Sequence, residues 1–173
     1  KQIDRLVEYA RKYIGTPYKR GSKGPNRFDC SGFTQYIFNH FSYSLNASSA
    51  SQYLQGISVK DEEICRGDLV FFKGRNSRRS NVGHVGLVTE VYPDGRFKFI
   101  HASTSQGIRE DWNSSPYYAL RYVGARRIYF VQIDKRLILD AILELEDIDD
   151  NTPFTEMEKS ITPQEFSTFV RAE

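Results

Sequence analysis

Two cysteines and three histidines are the side chains of this 173-residue chain that suit nucleophilic chemistry, and Cys30 stands in the most favourable place. It lies in Asp29-Cys30-Ser31-Gly32-Phe33, after the turn-rich run Gly21-Ser22-Lys23-Gly24-Pro25-Asn26. Phe33, Tyr36, Ile37 and Phe41 follow at helical spacing, so Cys30 is expected at a helix start. Free backbone N–H groups and the helix dipole favour negative charge there, which predicts a thiol that ionises readily. The plainer alternative is a small core hydrophobe. His40 falls late in the same helix and reads as a surface or helix-end residue. His84 and His101 form a pair. Val85, Leu87, Val88 and Val91 read as one strand, Tyr92-Pro93-Asp94-Gly95 as a turn, and Phe97, Phe99 and Ile100 as the returning strand. An antiparallel hairpin sets the start of its first strand beside the end of its second, which brings His84 and His101 together. Cys30, His84 and His101 then suffice as nucleophile, base and orienting group for thiol-dependent acyl transfer. Two satisfied strand-end histidines are the alternative.

These side chains must be positioned by the rest of the chain. Ile3, Leu6, Val7, Ala10 and Ile14 share one face of a predicted helix over 2–14, stopped by Gly15 and Pro17. Residues 46–56 begin as a polar loop and can start a short helix through Tyr53 and Leu54. Arg66-Gly67-Asp68 is a turn opening a strand at Leu69–Phe72. Lys73 to Arg79 reads as a solvated hairpin loop, and a last strand is expected within Leu120–Ile133. Cys65 is expected to be buried, reduced and unreactive, with a disulfide to Cys30 as the alternative.

Composition narrows the classes. The hydrophobic content of 39% and aromatic content of 14% suit a globular domain. No apolar run approaches the roughly 18 residues that cross a membrane. The chain starts at Lys1 without Met or a signal peptide, as a processed chain would. Residues 134–173 hold 11 acidic and 4 basic side chains, whereas 1–133 hold 20 basic and 11 acidic. A basic body suits an anionic partner such as a carboxylate-rich peptide, but no stripe of Lys, Arg and aromatics points to nucleic acid. There is no CxxC or HExxH. In the acidic tail, Leu137, Ile138, Ala141, Ile142 and Leu145 predict an amphipathic helix, and Thr162-Pro163-Gln164-Glu165 a capping box that starts another. The opposite charge of the two parts and the apolar stripe predict that the tail docks on the body; running near a cleft it would restrict which substrates enter, and the alternative is solvated charges with helices docked far from Cys30.

Gly15-Thr16-Pro17-Tyr18, Asp29-Cys30-Ser31-Gly32-Phe33, Gly67-Asp68-Leu69-Val70-Phe71-Phe72, Gly83-His84-Val85-Gly86 and Phe99-Ile100-His101-Ala102-Ser103 occur in this order. Together they resemble the NlpC/p60 cell-wall cysteine peptidases from about residue 2 to 131. His101 through Gly107 and Ala125-Arg126-Arg127 make the chain most similar to the Spr-type murein endopeptidases. The resemblance implies an α+β, papain-like fold with a helical lobe packed on an antiparallel sheet. It implies a catalytic domain at 1–133 and leaves 134–173 as a helical C-terminal extension without counterpart. It further implies cleavage of amide bonds in peptidoglycan stem peptides or cross-links, outside the cytoplasm of a bacterium, by a monomer. Anchoring to a membrane would require a segment this chain lacks. By the resemblance Cys30 is the nucleophile, His84 the base and then acid, and His101 the group that orients it. Tyr18 joins the Cys30 N–H at the oxyanion, and Tyr18, Asp29, Ser31 and Ser49 border the substrate. Asp29 equally reads as a helix cap, and Ser31 and Ser49 as loop-shaping residues. Lys19-Arg20-Gly21-Ser22 and Asn46-Ala47 depart from the family pattern at loops expected to face substrate. No metal and no organic cofactor is needed. The competing readings are a wall-binding module with a dead site and a zinc protein using Cys30, His84 and His101, for which no fourth ligand is suitably spaced.

Overall fold

The computed structural model describes residues 2–128. The predicted helices at 137–145 and from 163 lie outside the described residues. Helix α1 (Gln2–Arg11) buries Leu6, Val7 and Ala10. It ends earlier than its apolar pattern suggests, because Gly15 turns the chain with φ +92° and leaves Ile14 50% exposed. Arg11 then ties α1 to the sheet, with Glu90 at 2.9 Å and Glu110 at 3.1 Å.

Helix α2 (Cys30–His40) starts at the cysteine, as its spacing requires. Asp29 caps it: one carboxylate oxygen accepts from Gly32 N–H at 2.6 Å and the other from Gly21 N–H at 3.0 Å. Gly32 is needed here, since a Cβ would lie 2.3 Å from the Ser22 carbonyl oxygen and 2.6 Å from Asp29 Oδ1. Phe33, Ile37 and Phe38 are wholly buried on its inner face. Helix α3 (Ser49–Gln52) is a single turn with Ser48 as its cap. Its buried Gln52 accepts from Thr34 Oγ1 at 2.8 Å and donates to the carbonyls of Ser31 at 3.1 Å and Asn46 at 2.9 Å. The first turn of α2 is thereby braced from behind.

Six antiparallel strands follow: β1 (Ile57–Val59), β2 (Leu69–Lys73), β3 (Val82–Val91), β4 (Phe97–Ser103), β5 (Gly107–Trp112) and β6 (Tyr122–Arg127). Their order is β1-β6-β2-β3-β4-β5, so β2 to β4 form the centre. Leu69 to Phe72 are buried without alternation, which marks a strand covered on both faces. On one face Val70, Phe72, Val88, Phe97 and Phe99 cluster with Tyr118 and Tyr122. Helices α2 and α3 lie against β3. The β3–β4 hairpin turns at Tyr92–Arg96 as expected. The short helix α4 (Pro116–Arg121), β1 and β5 have no counterpart in the sequence reading.

The Gly67-Asp68-Leu69 and Ala125-Arg126-Arg127 motifs meet in an ion pair. Fully buried Asp68 accepts from Arg127 Nε at 2.8 Å and Nη2 at 3.0 Å, and from Cys65 N–H at 2.8 Å. This clamp fixes the start of β2 against the end of β6. Cys65 itself is exposed and free, which corrects its expected burial. Its backbone N–H serves the Asp68 clamp, and its thiol donates to the Glu63 carbonyl at 3.4 Å.

Candidate active site

The start of β3 delivers His84 and the end of β4 delivers His101. Phe72 lies opposite His84 in the β2–β3 ladder. Gly86, two residues on, faces His101: a Cβ there would lie 3.3 Å from His101 Cβ and 2.7 Å from the Phe99 ring. Glycine thus leaves the room in which the two imidazoles meet, His84 Nε2 to His101 Nδ1 at 2.8 Å. His101 is completely buried. Its other nitrogen, Nε2, lies 2.7 Å from Asp111 Oδ2. The β4–β5 register places His101 opposite Arg109 and Phe99 opposite Asp111, so Asp111 is the diagonal neighbour of His101 on one face. Arg109 Nη2 in turn lies 2.9 Å from Asp111 Oδ1.

Cys30 reaches the same place from α2. Its thiol points to the Gly83 carbonyl at 4.0 Å, the residue before His84. Cys30, Tyr18, Gly83, His84 and Asp111 all line one cleft of about 500 Å³. Its rim carries Lys73, Arg75 and Arg109, and Tyr117 and Tyr118 wall it. The Tyr118 ring lies near-parallel to His84 at 6.4 Å and edge-on to His101 at 5.2 Å. Arg121, stacked 3.7 Å over Tyr117, donates to the Gly74 and Arg75 carbonyls at 3.3 and 3.0 Å and braces this rim.

The electrostatics differ from the expectation at the cysteine. Burial raises the Cys30 pKa, and the Asp29 carboxylate raises it further, while the N–H groups of Ser31, Val85 and Cys30 pull it down. The capping aspartate that makes the helix start also offsets the positive end of its dipole. Burial pushes His84 down to about 3, helped by His101. Burial also lowers His101, against the hydrogen bond and charge of Asp111. The resting site therefore holds a neutral thiol beside a neutral imidazole. Tyr18 is raised, chiefly by burial and then by Cys30 and Asp29, so it keeps its proton as a donor.

Of the other expected substrate contacts, Asp29, Ser31 and Ser49 are not among the residues that line the cleft. Asp29 is engaged as the cap of α2, and Ser31 and Ser49 are buried. His40 ends α2 and stacks on Tyr9 with centroids 3.9 Å apart, the helix-end place expected for it. Among the described residues no group of three His, Cys, Asp or Glu side chains is set to hold a metal ion. Both ring nitrogens of His101 are engaged, by His84 and Asp111, which removes it as a zinc ligand.

A cysteine at the head of a helix, facing two histidines on an antiparallel sheet, defines a small papain-like α+β domain. The sequence pattern of the NlpC/P60 family matches residues 15–127, and the chain belongs to that family. It is 44% identical over 82 residues to a probable endopeptidase p60 of Listeria grayi, a match covering 47% of this chain and 15% of that protein. It is 36% identical over 127 residues to a probable endopeptidase of Haemophilus influenzae, covering 73% of this chain and 74% of that one. The fold also matches the peptidoglycan hydrolase RipB of Mycobacterium tuberculosis with a TM-score of 0.56 at 25% identity, over 73% of this chain and 65% of that one. Against the Listeria protein the chain thus spans only a small part of its relative's length.

Proposed function

We propose that this chain is a bacterial cell-wall hydrolase: a cysteine endopeptidase that cleaves amide bonds in peptidoglycan stem peptides or their cross-links, acting outside the cytoplasm. The observation that carries the reading is that Cys30 and His84 line one cleft and that buried His101 bonds His84 at 2.8 Å beneath it, in a family with endopeptidase and peptidoglycan-hydrolase relatives. The cationic rim of Lys73, Arg75 and Arg109 suits a peptide that bears carboxylates. Residues 1–133 form the catalytic domain in this reading and 134–173 an extension.

His84 takes the Cys30 proton as the sulfur attacks the scissile carbonyl carbon. Because both partners rest neutral, thiolate and imidazolium arise together during attack. The tetrahedral oxyanion is held by the Cys30 N–H, which has no acceptor within the helix at its first position, and by the Tyr18 hydroxyl. Collapse expels the amine, which takes the proton from His84, and leaves a thioester on Cys30. Water, deprotonated by His84, then hydrolyses that thioester. Mass spectrometry of purified disaccharide peptides after incubation tests the reading. New peptide termini with intact disaccharides are the expected products; uncut peptides or cleaved glycosidic bonds would overturn it.

A further inference from the structure

The hydrogen bonds at the floor of the cleft form a line, and its far end decides the protonation of its near end. Asp111 is the only carboxylate on that line, and a carboxylate accepts hydrogen bonds without donating any. The 2.7 Å contact to its Oδ2 therefore takes the proton of His101 Nε2–H. Neutral His101 then has a bare Nδ1, which accepts at 2.8 Å from His84 Nε2–H. Neutral His84 in turn has its lone pair on Nδ1, the one nitrogen of the line without a hydrogen-bond partner among the described residues. Read from the other end, a proton on His101 Nδ1 would force His84 to carry its own on Nδ1, where no base would remain.

We infer that Asp111 is a positioning residue that sets the tautomers of both histidines and so places the basic lone pair on His84 Nδ1. The inference rests on the peptidase reading for its rate consequence but not for the tautomers themselves. Arg109 sharpens the effect. Its Nη2 forms an ion pair with Asp111 Oδ1 at 2.9 Å, so a cation stands at one carboxylate oxygen and His101 at the other. In Asp111→Asn the same guanidinium holds the amide oxygen on its side and turns the amide NH₂ toward His101 Nε2. Nε2 must then accept, and the line reverses. Removing Arg109 as well frees the amide to turn over and offer its oxygen to His101 again.

The test is nitrogen NMR of the full chain labelled at histidine, with steady-state kinetics on the same preparations. In the wild type, His101 should show a protonated Nε2 and a bare Nδ1, and His84 a protonated Nε2. Asp111→Asn should exchange these assignments and lower kcat by about a thousandfold or more with KM nearly unchanged, the pattern of a wrongly set tautomer. Arg109→Leu added to Asp111→Asn should return the assignments and at least tenfold in kcat. A bare Nε2 on His101 in the wild type overturns the inference, and that reading needs no variant to fold. An unchanged assignment in Asp111→Asn overturns it too, as does an exchanged assignment with less than a tenfold loss of kcat. A wild type that cuts no peptidoglycan peptide defeats the peptidase reading instead, and leaves the nitrogen spectra to decide this one.

Discussion

At the scale of single residues, the chemistry of Cys30 depends on who its neighbours are more than on where the helix begins. Its place at the head of α2 was legible, from the turn-rich run before it and the apolar spacing after it. Its acidity was not, because the side chain that caps the helix is itself an anion and the thiol is largely covered. Cys65 went the other way: an apolar neighbourhood in sequence suggested burial, whereas its backbone N–H serves Asp68 and the residue is exposed. Thiol reactivity should follow exposure. With iodoacetamide at neutral pH, peptide mapping should find Cys65 modified first and Cys30 later; a faster Cys30 would mean a resting thiolate. The histidines make a second prediction. His84 falls from an ordinary 6.5 to about 3 in the fold, so the unfolded chain binds the extra proton first. Stability is then fully present above about pH 6.5 and is lost as pH falls toward 3, by at most about 1.4 kcal/mol per pH unit for this one proton. Melting temperatures across that range should show the decline, and His84→Gln should flatten it.

Elements set these residues in register. The β3–β4 hairpin could be read from two apolar runs around Tyr92-Pro93-Asp94-Gly95, and with it the meeting of His84 and His101. Strand β5 could not. Gly107 to Trp112 contains Arg109, Glu110 and Asp111 in succession and looks like a polar loop, so Asp111 was missed. The only signal was the alternation of Ile108, Glu110 and Trp112 with Arg109 and Asp111, which matters once β4 is known to need a partner. Gln52 was hidden in the same way, as a polar residue in a polar stretch that turns out wholly buried. Two substitutions test how the elements are held. Gly32→Ala should misplace the first turn of α2 against the Ser22 carbonyl, costing roughly 1–3 kcal/mol and most of the activity. Arg127→Leu strips two charged hydrogen bonds from buried Asp68 and should cost about 3–5 kcal/mol, read by denaturant unfolding. A loss below 1 kcal/mol in Arg127→Leu would mean that the β2–β6 clamp is dispensable.

For the whole molecule, five short motifs scattered over some ninety residues of sequence converge on a single fold and cleft. Each motif has a physical task. Asp29-Cys30-Ser31-Gly32 starts a helix tightly against a loop, Gly67-Asp68-Leu69 anchors the central strand, and Gly83-His84-Val85-Gly86 lets two imidazoles meet. The described residues close a core of their own, with Phe28, Phe33, Phe38, Phe71 and Phe99 all wholly buried. A fragment ending at residue 133 should therefore unfold cooperatively and keep its peptidase activity; a fragment without a melting transition would show that 134–173 completes the fold.

In the proposed mechanism Cys30 carries the acyl group of the cleaved peptide bond. Acid quenching in the first turnovers on a stem-peptide substrate, followed by intact-mass measurement and peptide mapping, tests it directly. A mass increase equal to the acyl fragment, localised to Cys30, is expected, with no cleavage by Cys30→Ala. Turnover by Cys30→Ala would contradict it.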